Sequence, residues 1–208
     1  MPATCWLILA VDPLCYDELM KKAIILHGKP SKEGFYNPER QSQSNCHWLP
    51  WLQHELVIRD ILAQTPELPF PFEPDYAAWK QVFEQLQPDE ETILVGHSTG
   101  GGFLVRWLSE NKDVRVGKVA LVAPSLALEW EDTKQFMQFE IDPNLATRTA
   151  GITIVWSDDD KPRTEAVKLL SSVIHNIHVI ELHGMGHLTE EDMHRTNFPE
   201  LLEVLLKD

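Results

Sequence analysis

The chain has 208 residues, 43% of them hydrophobic, which suits one domain able to bury a real core. A formal net charge of −14 with no basic stripe excludes the counterion displacement on which nucleic-acid binding depends. Cys5, Cys15 and Cys46 are an odd, unpatterned set, which suggests neither a disulfide framework nor a zinc site and points to a reducing cytoplasm.

Taken in chain order, the apolar run Trp6 to Val11 is too short for a membrane span. It lacks a preceding Lys or Arg and is followed by Asp12, Asp17 and Glu18, so it does not read as a signal peptide. Residues 1–19 are expected to be an extension outside the domain, with the α/β unit occupying 20–208. From Met20 onward, aliphatic runs alternate with amphipathic segments, the pattern of a mostly parallel sheet of about six strands with helices on both faces. Strands are expected at Ala23–Leu26, Val57–Ala63, Thr92–Val95, Lys118–Val122, Ile152–Trp156 and His178–Leu182. Helices are expected at Trp48–Leu56, Tyr76–Leu86, Gly101–Glu110, Thr164–Val173 and Phe198–Leu206, the first with Pro50 in its opening turn.

Gly96-His97-Ser98-Thr99-Gly100 lies between the third strand and its helix, the context of a nucleophile elbow. The flanking glycines keep Cβ atoms out of the bend, and the helix start aims its N–H groups at whatever Ser98 attacks. An acid and a base should follow in that order, each at the carboxyl end of a strand. Asp158-Asp159-Asp160 follows the fifth strand and His187 the sixth, and the residues alone leave the choice among the three aspartates open. His187 would take the Ser98 proton and a buried carboxylate would orient the imidazole, so activity should fall as His187 becomes protonated. The backbone N–H of Thr99 would supply one oxyanion donor. That of Lys29 would supply the other, since Gly28 lets the first loop bend toward the site.

His27-Gly-Lys-Pro30, the elbow, Ser157-Asp-Asp-Asp160 and Gly186-His187 together resemble the α/β-hydrolase superfamily. More narrowly, the chain is similar to small serine hydrolases of the retinoblastoma-binding protein 9 type, over about Met20 to Lys207. The resemblance implies a trimmed hydrolase sheet, a triad of Ser98, Asp160 and His187, and no cofactor. It selects Asp160 as the second member of the Asp-Asp pair. The polar stretch Ser31 to Asn45 departs from the glycine-rich first loop of such proteins, and no L-x-C-x-E motif supports the namesake's protein interaction.

The leading expectation is a serine hydrolase acting on a small ester, thioester or amide. An acyltransferase using the same triad and a catalytically silent binding protein are the alternatives. His97 reads as a helix-start or pocket-lining residue pointing away from the nucleophile. His183 and His187 have the spacing of helical zinc ligands, but the intervening glycines argue against a helix, and Asp158 to Asp160 lacks the ligand pattern of a calcium loop. No metal is expected, nor a membrane partner. Pro124 to Thr149, with Phe136, Met137 and Phe139, is read as either a lid with an apolar acyl wall or a cluster covering the sheet edge. Trp48 and Trp130 are the tryptophans expected to meet a substrate.

Overall fold

The computed structural model describes residues 21–126 and 135–207, so the expected extension at 1–19 and Trp130 lie outside the described residues. The strands are β1 (Lys21–Leu26), β2 (Ile61–Gln64), β3 (Ile93–His97), β4 (Val119–Val122), β5 (Ile152–Ser157) and β6 (Ile177–Leu182). They form one sheet in the order β2-β1-β3-β4-β5-β6, with every neighbouring pair parallel. The helices are α1 (Lys32–Phe35), α2 (Leu49–Val57), α3 (Tyr76–Gln85), α4 (Thr99–Glu110), α5 (Lys161–Val173), α6 (Glu190–Met193) and α7 (Pro199–Leu206). Short 3-10 turns stand at Gln43–Asn45 and Leu145–Arg148.

The alternation of side chains along each strand divides the core between the two faces of the sheet. Ile24, Leu26, Leu94, Leu121 and Ile154 pack with Trp79 and Phe83 of α3, Phe103 and Trp107 of α4, and Val167 and Leu170 of α5. Ala23, Ile25, Val95, Ala120, Val122 and Val155 pack with Leu52 and Leu56 of α2 and Leu201 and Leu205 of α7. The central strands are apolar on both faces, as a covered parallel sheet requires. The chain leaves β1 for β2 on one side and returns to β3 on the other. The loops after β1 and β3 therefore diverge at a switch point, where open α/β sheets bind ligands.

Two sequence expectations are corrected, and a third, open between two readings, is narrowed. Val57 ends α2 rather than opening a strand, and the chain turns through Asp60 at φ 61 before β2 begins at Ile61. The Val57-Ile58 pair carries a β-type signal, but the Ile58 N–H bonds back to the His54 carbonyl and continues the helical ladder. Trp48 is fully buried, donates Nε1–H to the Leu188 carbonyl at 2.9 Å and packs on Phe198, so it belongs to the core and does not meet a substrate. In the 124–149 connection, Phe136, Met137 and Leu145 are buried in the core, with Phe136 against Trp79 of α3 and Phe103 of α4, so the described part favours the packed cluster over an open acyl wall.

Candidate functional site

Ser98 sits between β3 and α4 at φ 52 and ψ −117, a strained backbone that projects its side chain from a tight bend. The crowding explains the glycines. A Cβ on Gly96 would lie 2.6 Å from the Gly100 carbonyl oxygen, and one on Gly100 would lie 2.6 Å from the His27 carbonyl oxygen. Helix α4 begins at Thr99, two residues earlier than expected, so the elbow passes directly into the helix. The Gly102 N–H bonds to the Ser98 carbonyl, which leaves the N–H groups of Thr99, Gly100 and Gly101 without intrahelical acceptors.

Three distant segments meet at this turn. His187 Nε2 lies 2.9 Å from Ser98 Oγ, and His187 Nδ1 lies 2.7 Å from Asp160 Oδ2. The Asp160 side chain is only 5% exposed against 27% for His187, so the carboxylate is sealed behind the ring it contacts. Of the three competing aspartates, Asp160 is the one that reaches His187. Asp158 instead takes His183 Nδ1 at 2.9 Å and the Gly184 N–H at 3.0 Å, while Asp159 takes the Ser157 hydroxyl at 2.6 Å and the Gly186 N–H at 2.9 Å. The hydrogen bond from His183 holds the Asp158 carboxyl below the usual carboxylate range, and the Ser157 hydroxyl does the same for Asp159.

Each consecutive aspartate thus grips a different part of the 183–187 loop, a use that the acidic run alone did not disclose. The His187 N–H donates to Asp192 Oδ2 at 2.8 Å. The His97 Nε2–H donates to the His187 carbonyl at 3.0 Å, with the two rings 5.0 Å apart. His97 does line the cleft, yet it does not simply point away, because it bolts the backbone of His187 in place. Asp192 was missed by sequence reasoning, although Thr189-x-x-Asp192 is a capping-box pattern. Thr189 caps α6 by accepting the Asp192 N–H at 3.2 Å.

Gly186, at φ 53, leaves no room for a side chain, since an added Cβ would lie 2.6 Å from Asp192 Cγ. Gly186→Ala is expected to displace His187 and lower kcat by about a hundredfold, the cost of an ångström-scale misplacement. Steady-state kinetics beside a thermal melt checks this, and unchanged kcat would show that the loop relaxes around the methyl group.

The first loop is set by His27. Its Nε2 accepts the Leu68 N–H at 3.0 Å, so the neutral ring carries its proton on Nδ1 and donates it to the Gly28 carbonyl at 2.8 Å. A planar trans peptide then points the Lys29 N–H away from His27. A Cβ on Gly28 would come within 3.0 Å of Ser98 Cβ, so the absence of a side chain lets this loop pass beside the elbow. Lys29 is half-buried and lines a cleft of about 340 Å³ together with Ser98, His187, Arg40, Gln43 and His47. Many of the residues lining the cleft are charged or polar, while apolar atoms form the larger share of its wall.

Burial pushes His27 below the ordinary histidine range and His97 well below it. The native state refuses protons that the unfolded chain accepts below about pH 6.5, so stability is expected to fall on acidification, by up to about 1.4 kcal/mol per pH unit for each of the two. Melts between neutral and mildly acidic pH check this. A flat profile would mean that both rings accept protons in place.

Among the described residues, Asp158, Glu181 and His183 place ligand-type atoms within 4.8 Å of one another at the surface, where Asp158 is already bonded to His183 and Gly184. No helix among the described residues is long and apolar enough to cross a membrane.

The chain is 28% identical to YdeN of Bacillus subtilis (strain 168), a protein named as a candidate hydrolase, across 90% of this chain and 95% of that one. Superposition on the crystal structure of the B. subtilis ydeN product gives a TM-score of 0.73 at 25% identity, covering 89% of this chain and 97% of that one. Est1E from Butyrivibrio proteoclasticus shares the fold, with a TM-score of 0.58 at 14% identity over 85% of this chain and 84% of that one. The profile of the serine hydrolase family matches residues 36–207, and the chain belongs to that family of enzymes.

Proposed function

We propose that this serine hydrolase cleaves a small ester, thioester or amide through an acyl-enzyme on Ser98. The observation that carries the reading is the continuous hydrogen-bonded path from Ser98 Oγ through the His187 ring to the buried Asp160 carboxylate. His187 Nε2 accepts the serine proton as Oγ attacks the carbonyl carbon, and Asp160 holds Nδ1–H and stabilises the imidazolium. Collapse of the tetrahedral intermediate breaks the bond to the leaving group, which receives that proton from His187. Water, deprotonated by the same nitrogen, then releases the acid.

The oxyanion is assigned to the N–H groups of Thr99 and Lys29. The unpaired start of α4 supports the first, and the peptide orientation imposed by His27 supports the second. A cleft of about 340 Å³, near the lower end for ligand sites, favours a small substrate. The narrower kinship with the retinoblastoma-binding protein 9 type rests on the Gly96-to-Gly100 elbow and the Asp159-Asp160 pair. A domain spanning 20–208 and a cytoplasmic location complete the reading.

Labelling with a fluorophosphonate probe tests the proposal. Wild-type protein should be labelled at Ser98 and Ser98→Ala should not; labelling that persists in the variant would overturn the assignment of the nucleophile.

A further inference from the structure

His47 takes no part in the proton path, yet it is held as though its position matters. Its backbone lies at φ 58, a conformation costing a non-glycine residue on the order of 1 kcal/mol. Its ring stands edge-on to His97 with centroids 5.8 Å apart and lines the same cleft as Ser98. The Glu190 N–H donates to His47 Nδ1 at 3.2 Å, and Glu191 Oε2 lies 3.4 Å from the same nitrogen. Burial keeps the group below the ordinary histidine range and outweighs the pull of the Glu191 and Glu190 carboxylates. A neutral ring whose Nδ1 accepts must carry its proton on Nε2. Among the described residues nothing accepts from that Nε2–H, and the atom is not sealed from solvent. An unpaired donor is therefore left on a ring that lines the same cleft as Ser98 and His187.

We infer that His47 determines specificity, its Nε2–H donating a hydrogen bond to a substrate oxygen other than that of the scissile carbonyl. The site would then favour esters bearing an ether, hydroxyl or second carbonyl oxygen over their all-carbon isosteres. Gln41, Gln43 and Arg40 line the same cleft and offer further polar groups to such a substrate. The inference rests on Ser98 being the nucleophile.

Two pairs of isosteric esters test it: p-nitrophenyl methoxyacetate against butyrate for the acyl side, and methoxyethyl acetate against butyl acetate for the alcohol side. Intrinsic reactivity cancels when the ratio of kcat/KM within a pair is compared between enzymes. His47→Phe, which keeps a ring and loses the donor, should lower the oxygen-to-carbon ratio about tenfold in at least one pair, the weight of a neutral hydrogen bond. His47→Gln, which keeps an N–H donor, should hold the ratio closer to wild type. Unchanged ratios in both pairs for His47→Phe would overturn the inference.

A second readout does not depend on turnover. In Ser98→Ala, the His47 imidazole nitrogen resonances should shift on saturation with the preferred oxygen-bearing ester and not with its isostere. Equal shifts with both would also overturn it. Failure of the underlying reading looks different, because Ser98→Ala would then still be labelled or still hydrolyse esters.

Discussion

Ser98→Ala is expected to lower kcat by about six decades, the magnitude seen when a serine hydrolase loses its nucleophile, while leaving the fold in place. The backbone that builds the elbow does not depend on the hydroxyl. Ser98 N–H bonds to the Val122 carbonyl at 2.9 Å, and the Ser98 carbonyl accepts the N–H groups of Gly102 and Ser125. All three survive the substitution. Alanine also keeps a Cβ at φ 52, so the strain of the turn is retained along with the bonds that hold it. Ser98→Gly should instead relieve that strain and melt higher than Ser98→Ala, since glycine tolerates positive φ. A serine retained where glycine is more comfortable would mark stability given up for chemistry. Hydrolysis of p-nitrophenyl esters and thermal melts of the three proteins decide the matter. A Ser98→Ala enzyme within a few fold of wild type would remove Ser98 from the mechanism.

The features legible in the sequence were those in which local pattern and chemistry coincide. The β3 strand, its flanking glycines and the following amphipathic helix place Ser98 without any tertiary information, and Asp160 and His187 stand just beyond the aliphatic runs of β5 and β6. Less was legible where long-range contacts choose among local options. Trp48, at the start of its helix, looks like a substrate-facing aromatic until the Leu188 carbonyl and Phe198 claim it. Val57 looks like a strand residue until α2 extends through it. Phe136 and Met137 could line a lid or fill a core, and only the neighbouring Trp79 and Phe103 decide for the core. The supports of His187 were hidden because each is a bond between segments: His97 to its carbonyl, Asp192 to its N–H, and Asp159 to the glycine before it. Of these, only Asp192 had a local signal, its place in the cap of α6.

Those supports also shape what should follow from altering the acidic turn. Asp160→Asn is expected to lower kcat by up to about four decades, because an amide in place of the carboxylate can no longer fix the Nδ1–H tautomer or stabilise the imidazolium. Burial sharpens the effect, since at 5% exposure the Asp160 side chain gives solvent little opportunity to replace the lost charge. Asp159→Asn should cost far less, on the order of tenfold, because the amide oxygen can still accept from the Ser157 hydroxyl and the Gly186 N–H, only with weaker, uncharged bonds. Asp158→Asn should matter least. Its carboxylate is 44% exposed, and its partners, His183 and the Gly184 N–H, lie farther along the loop from the reacting nitrogen. The three aspartates therefore predict a graded series, with orientation of the ring at one end and anchoring of the loop at the other. Measuring kcat for the three variants in one assay, with fluorophosphonate labelling rates alongside, separates the two roles. A near-normal Asp160→Asn beside an inactive Asp159→Asn would transfer the acid to Asp159 and leave the Ser98–His187 contact as the surviving core of the proposal.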